Sequence, residues 1–444
     1  MRTESTSPAV FLIHLLGAGV VFLGWWPVPG SFFLLEPVLF CVIALVCLLL
    51  LQVTTVRITR RSMFAYGAFA VWVVFADALS GEFLPALARD VHWLILPLLV
   101  VLYKPFFARN EDALKALQVA VAFSLIVIAY RLIDGADAVF DWVKLPIFGN
   151  IRRLAMTAGL MSVFLYLDAG YRQSEKWLLV LARVVGLSLL FWSGSRGAML
   201  AWLLALLMFI RLTQQGSRWR GWSLEIGVAI ALSILFDVGN PSMGFWGAFL
   251  RSWISAVTTG TFDSVSSGRM SLWIQTLAAL HDPRIALLGA GGNGFVRLHL
   301  MFGQIFHPHN ILLQAVSDWG LVGLLLLLWL VGQGVPARSE LRPEKAGMIG
   351  LGAALLVFLL VTGLLDGGLY HLQYLFFAAI AFALLAASTR EGASAWNRVA
   401  VPRSGIAVLL LAAMLLHGVM RDYRVEWTAR PQVRQQVASP PGPP

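Results

Sequence analysis

Apolar residues in this chain come in stretches of about 17–25, the length that crosses a ~30 Å hydrocarbon core as a helix, and these stretches recur from end to end. They fall at 9–26, 32–53, 63–80, 89–103, 113–130, 153–169, 177–193, 196–212, 222–238, 311–335, 347–365, 371–388 and 404–420. In lipid, a backbone N–H or C=O must find its partner within its own segment or a closed barrel. Barrel strands alternate with period two, and these runs are continuous, so helices are the solution left. Charged residues make up only 13% of the chain, about half the ~25% of a soluble domain. The expected fold class is an all-α, polytopic helical membrane protein with 12–13 transmembrane helices.

Charge sets the orientation. With the N-terminus cytoplasmic, the cytoplasmic segments collect seventeen Lys and Arg, among them Arg57, Arg60, Arg61, Arg218, Arg220, Arg338 and Arg342. The short segments on the other side hold six: Arg89, Arg131, Lys144, Arg152, Arg153 and Arg196. That asymmetry satisfies the positive-inside rule. The +10 net charge is thus mostly topological, and no nucleic-acid partner is needed to explain it. Thirteen crossings would leave Arg421, Arg424, Arg430 and Arg434 outside, and twelve would bring them in; both counts stay open. Met1–Pro8 carries one arginine beside Glu4, and no small-residue cleavage site follows Trp25-Trp26, so the first stretch reads as a retained span. Cys41 and Cys47, six residues apart in one span, read as buried free thiols.

The expected organisation is an N-terminal transmembrane bundle (1–238), a non-cytoplasmic loop with short helices (239–310), C-terminal transmembrane helices (311–420) and a basic, disordered tail (421–444). Loops beyond about 15 residues are usually functional or disordered. The aromatic residues Trp246, Phe249, Trp253, Phe262, Trp273 and Phe295 give this one something to pack. Within it, 268–280 reads as an amphipathic helix with Leu272, Ile274, Leu277 and Leu280 on its apolar face and Ser266 or Ser267 as cap. Gly289, Gly292 and Gly294 follow no strand, which excludes a dinucleotide fingerprint; they read as tight turns over the membrane surface. Residues 131–152 read as a smaller rim element.

Ionisable residues at membrane edges are expensive and mark function by default. Arg196 opens a helix behind Ser195, a good N-cap. An arginine is the wrong sign for a helix N-terminus, unless an anion is present for the free N–H groups and guanidinium to share. Arg269 repeats the arrangement, with a solvated face as the alternative. Asn310 caps the span at 311–335, which sets His309 against the positive end of its dipole and keeps the imidazole neutral, able to accept a proton. Eleven residues at 3.6 per turn carry His309 to Gly320 on one line, with Gly323 nearby. That glycine-notched stripe can admit a lipid chain or simply a neighbouring helix. In the Asp366-Gly367-Gly368 turn, Asp366 can orient a histidine or hold an arginine; His371 is a weaker candidate, and His307 reads as a surface or supporting residue. No metal ligand set emerges, and no cofactor is expected. Arg183, the main interior charge, reads as snorkelling to the cytoplasmic edge.

His309-Asn310, nine residues, Gly320, two residues and Gly323 match the H-N/S/Q-x9-G-x-x-G/T/Y signature of bacterial O-antigen ligases, a family shared with O-antigen polymerases and protein O-oligosaccharyltransferases. The large loop before the motif, SGSRG ahead of it and an Asp-Gly turn after it resemble the family over most of the chain. The resemblance implies a GT-C-like enzyme of lipopolysaccharide biosynthesis in the bacterial inner membrane, with its site on the periplasmic side. It would transfer O-antigen from undecaprenyl diphosphate (the donor) to lipid A-core (the acceptor), inverting and metal-independent. The family's essential arginines, histidine and late aspartate then correspond to Arg196, Arg269, His309 and Asp366. Ser195, Asn310, Gly320, Gly323, Arg152 and Arg153 are the expected substrate contacts.

The same chemistry with another acceptor is the nearest alternative. A polysaccharide or lipid transporter is the alternative from another class; it normally needs polar or broken helices at mid-membrane, of which these spans show few.

Overall fold

The computed structural model describes residues 17, 32–53, 57–109, 111–134, 151–167, 171–237, 254, 257–258, 269–298, 307–390, 398–400, 402–408 and 410–413. The apolar runs among them are helices: α1 (Phe32–Val53), α2 (Arg60–Leu79), α3 (Phe83–Arg109), α4 (Glu111–Asp134), α5 (Ile151–Phe164), α6 (Gln173–Trp192), α7 (Arg196–Thr213) and α8 (Trp219–Asp237). Three short helices follow, α9 (Arg269–Ala279), α10 (Pro283–Leu288) and α11 (Gly294–Arg297), and then α12 (Ile311–Gly334), α13 (Ala346–Leu365) and α14 (Leu372–Ala387). A three-residue ribbon, β1 (Arg57–Thr59) antiparallel to β2 (Arg398–Ala400), pairs Ile58 with Val399.

The protein is an all-α polytopic membrane protein. Among the described residues, α2, α3, α4, α7, α12 and α13 are long and apolar enough to cross a bilayer. The expected stretch at 9–26, apart from Gly17, and most of the rim element at 131–152 lie outside the described residues, as does the proposed cap at Ser266 or Ser267.

The expected span at 153–169 is a shorter helix. α5 has 14 residues, about 21 Å at 1.5 Å per residue, and is buried from Leu154 to its end. A helix that stops inside a protein leaves carbonyls that need donors. Two polar side chains supply them. The Gln118 amide donates to the Phe164 carbonyl at 2.8 Å and to that of Leu167 at 2.9 Å, and the Arg183 guanidinium donates to Leu165 at 2.8 Å. Arg183 also grips Glu225 on α8 through two hydrogen bonds of 2.9 and 2.7 Å. It is 3% exposed, so the snorkelling expectation gives way to a buried ion pair joining α6 to α8 and capping α5. Cys47 is buried as expected, while Cys41 is exposed on the helix surface.

The larger departure is in α12. Gly320 sits at φ 68°, ψ −178° in the middle of the apolar run, so the helix is broken there and the stripe from His309 does not continue straight through it. A break frees carbonyls one turn upstream, and the glycine-rich loop takes them. Ala290 N–H donates to Ser317 O at 2.9 Å, and Gly291 N–H to Asp318 O at 2.8 Å. The approach is close enough that a Cβ on Gly320 would lie 2.1 Å from the Leu287 carbonyl. Carboxylates finish the socket. Asp318 accepts from Gly294 N–H at 2.6 Å and Asp77 from Gly292 N–H at 2.8 Å, while Asp90 accepts from the Trp319 indole. The glycines therefore carry the loop into the bundle rather than over a surface. These spans hold a break and three buried aspartates where few polar features were expected.

Packing fixes the rest. α7 lies on α13, α14 on α3, and α6 on α5 and α8, around one large apolar core. A second cluster joins α2 to α12 through Phe69, Val73 and Trp319, with the Phe69 and Trp319 rings edge-on at 5.3 Å.

A candidate active site where helix termini converge

Asn310, itself extended, stands at the N-cap of α12 with its side-chain oxygen accepting from Leu312 N–H at 3.0 Å and Leu313 N–H at 3.1 Å. This is the capping role read from the sequence. The cap fixes the start of α12 and leaves His309 immediately outside it, with a left-handed backbone at φ 54°. Between the two histidines, the buried Pro308 offers its carbonyl to the Trp273 indole at 2.9 Å, which ties α9 to the corner.

The His309 ring turns toward the far end of α13. Its Nδ1 lies 3.3 Å from the Asp366 carbonyl oxygen. A carbonyl only accepts, so the proton sits on Nδ1 and the lone pair is on Nε2. Burial pushes the His309 pKa down to about 4; the Asp366 carbonyl opposes this, and Arg152, Arg269 and Arg153 add to it. The imidazole is therefore neutral at ordinary pH.

Asp366 closes α13, its N–H donating to Thr362 O at 2.7 Å. Its carboxylate forms an ion pair and hydrogen bond with the Arg269 guanidinium at the first residue of α9. Asp366 is 5% exposed. Burial raises its pKa, with Arg269 and then Arg152 pulling the other way. Burial lowers that of Arg269, opposed by Asp366 and reinforced by Arg152 and Arg196. Among the described residues, the buried Asp366 Oδ2 and Arg269 Nε have no hydrogen-bond partner.

Arg196, exposed, is the first residue of α7. Ser195 stands at the N-cap position as read from the sequence, but its hydroxyl makes no capping bond; instead its N–H donates to the Ser193 hydroxyl at 3.2 Å. The next residue, Gly197, explains how α7 reaches the site: a Cβ there would lie 2.8 Å from Asp366 Oδ2. Arg152 and Arg153 open α5 beside them and act on His309 electrostatically. Arg269 and Arg152 thus act on the Asp366 carboxylate, with Arg153 acting on His309 and Arg196 on Arg269, the four guanidinium groups standing at the N-termini of α5, α7 and α9. Both the side-chain charge and the helix dipoles favour negative charge at this place.

Six expected residues come together here: Arg152, Arg153, Arg196, Arg269, His309 and Asp366. Gly320 and Gly323 do not. Gly320 is about 16 Å of helix rise from His309 and sits against Leu287, and Gly323 packs under Trp319 and Trp72. The apolar face expected of α9 is also corrected. Leu272 and Thr276 are its buried residues, whereas Ile274 and Leu277 are more than half exposed; the helix turns its Trp273 side to the site and its aliphatic side outward. Sequence reasoning missed Gly197, Trp273, Asp77, Asp90 and Asp318. The three aspartates did carry a signal, since each is a carboxylate inside an apolar run. Among the described residues, no group of three or more His, Cys, Asp or Glu is placed to hold a metal ion.

No curated protein matches the chain. Residues 179–328 match the family described as O-antigen ligase, a segment running from α6 into α12 that includes Arg196, Arg269, His309 and the glycine loop. That central segment is an O-antigen ligase family domain.

Proposed function

We propose that the protein is an O-antigen ligase, transferring polysaccharide from undecaprenyl diphosphate to the lipid A-core at the periplasmic face of the inner membrane. The observation that carries this reading is the His309–Asp366–Arg269 chain, set among three further arginines. His309 Nε2 takes the proton of the attacking sugar hydroxyl. The hydroxyl oxygen forms the new bond to the anomeric carbon as the bond from that carbon to the diphosphate breaks. The diphosphate leaves with the electron pair, and one displacement inverts the configuration. Arg269 and Arg196 take the growing negative charge, the task such preorganised cations perform best. Asp366 holds Arg269 with its side chain and His309 with its carbonyl, so one residue sets both the cation and the tautomer of the base. Arg152 and Arg153 are assigned to acceptor phosphates. The unpartnered Arg269 Nε and Asp366 Oδ2 suit substrate oxygens and hydroxyls.

The test is transfer in vitro with purified protein, undecaprenyl-diphosphate-linked polymer and rough lipopolysaccharide, with EDTA present. The wild type is expected to cap the lipopolysaccharide, while His309→Ala and Arg269→Ala insert into membranes and do not. Capping at wild-type rates by His309→Ala removes the base assignment. Polymer extension without capping reassigns the acceptor to growing O-antigen.

A further inference from the structure

His307 lies two residues before the base and is absent from the chemistry above. Its Nδ1 accepts the backbone N–H of His309 at 3.3 Å, and the two rings meet edge-on with centroids 4.2 Å apart. A side-chain acceptor bonded to the N–H two residues on is the pattern of an Asx turn, with proline between as such turns favour. The residue whose N–H is held is the one with positive φ, a conformation uncommon outside glycine. We propose that His307 is a positioning residue for His309, its Nδ1 closing an Asx-like turn across Pro308 that sets the left-handed backbone and aims the ring at the Asp366 carbonyl.

Two observations fit. Trp273 fixes the middle of the same turn through the Pro308 carbonyl, so the corner is held from both sides. Burial, with His309, His371, Arg89 and Arg153 acting on it, holds the His307 pKa well below its usual value, so the ring stays neutral, and the bond from His309 N–H selects the tautomer with its lone pair on Nδ1. The inference rests on the reading of His309 as the base, and deepens it.

Asparagine and glutamine separate the geometry from mere polarity. Asn Oδ1 occupies the place of His Nδ1 relative to the backbone, whereas Gln reaches one atom further, toward Nε2. The experiment measures kcat and the donor KM in the transfer assay for His307→Asn, His307→Gln and His307→Ala, with His309→Ala as reference and thermal unfolding as a folding control. His307→Asn is expected to stay within about threefold of wild type. His307→Gln and His307→Ala are expected to lose about 10–100-fold in kcat, the scale of an ångström's misplacement, with donor KM little changed. Equal activity of the Asn and Gln variants overturns the positioning role while a dead His309→Ala leaves the base in place. An active His309→Ala overturns the base, and the role of His307 falls with it.

Discussion

Arg269 and Asp366 meet as an ion pair 97 residues apart in the chain, the guanidinium at the start of α9 and the carboxylate at the end of α13. The pair joins the loop helices to the membrane bundle at the point where the chemistry is placed. With side chains 16% and 2% exposed, it is shielded from the screening that makes surface pairs weak.

Removing one partner from such a pair leaves a buried charge, a loss of about 3–5 kcal/mol. Asp366→Ala is therefore expected to lower the thermal unfolding temperature and to abolish transfer. Arg269→Ala/Asp366→Ala should unfold less easily than the sum of the singles implies, while remaining inactive. A double-mutant cycle on unfolding measures this; strict additivity would mean the pair does not couple.

Gly197→Ala tests how tightly α7 is docked. In a free helix, alanine is about 1 kcal/mol better than glycine, so the substitution would stabilise if space allowed. The added Cβ would instead lie 2.8 Å from Asp366 Oδ2, and Arg269 holds that carboxylate in place. The expected result is a normally inserted protein whose kcat falls at least about tenfold, since small displacements of a positioned group cost that much. Unchanged kcat with raised thermal stability would show that the carboxylate moves aside freely.

Much of this site was legible because its residues announce themselves locally. His309 follows a helix-capping pattern, Arg196 and Arg269 stand where a cation is electrostatically awkward, and Asp366 sits in a two-glycine turn. What the sequence hides is whatever depends on a partner far along the chain. Hydropathy reads α12 as one uninterrupted run, because a broken helix and a straight one have the same composition; only Gly289 to Gly294, arriving from the loop, reveal the break. The length of α5 is hidden likewise, since its end is made by Gln118 and Arg183 rather than by any stop signal of its own. Arg183 looked like a snorkelling residue because its partner Glu225 belongs to another helix.

Gly320 is the position where this hidden architecture is most exposed to test. A side chain there meets a backbone conformation, φ 68° with ψ −178°, that is essentially reserved for glycine and costs about 1–3 kcal/mol for other residues, and its Cβ would fall 2.1 Å from Leu287 O and 2.5 Å from Leu288 N. Backbone atoms cannot step aside as a side chain can. Gly320→Ala is expected to release the loop from α12, seen as faster hydrogen exchange at Ala290 and Gly291, whose N–H groups bond Ser317 and Asp318. Activity should fall with it, because the same loop leads from α9 to His309. Unaltered exchange at both amides would show that the loop is anchored elsewhere.

The pH dependence follows from the direction in which His309 is shifted. A base must be unprotonated to act, so transfer is lost as pH falls through its pKa, and in the free protein that value is about 4, below the usual 6.5. The profile of kcat/KM, which reports the free enzyme, should therefore be flat from pH 8 to about 5 and bend only below that. Binding the donor diphosphate places negative charge beside Arg269, and acceptor phosphates place it beside Arg152 and Arg153, the groups that help depress the imidazole. The field on His309 reverses and its pKa rises. The acid limb of kcat, which reports the complex, should consequently lie at higher pH than that of kcat/KM. Coincident limbs would mean that the bound diphosphate leaves the field at His309 unchanged, and a limb of kcat/KM near 6.5 would mean that the imidazole is solvated like a free histidine.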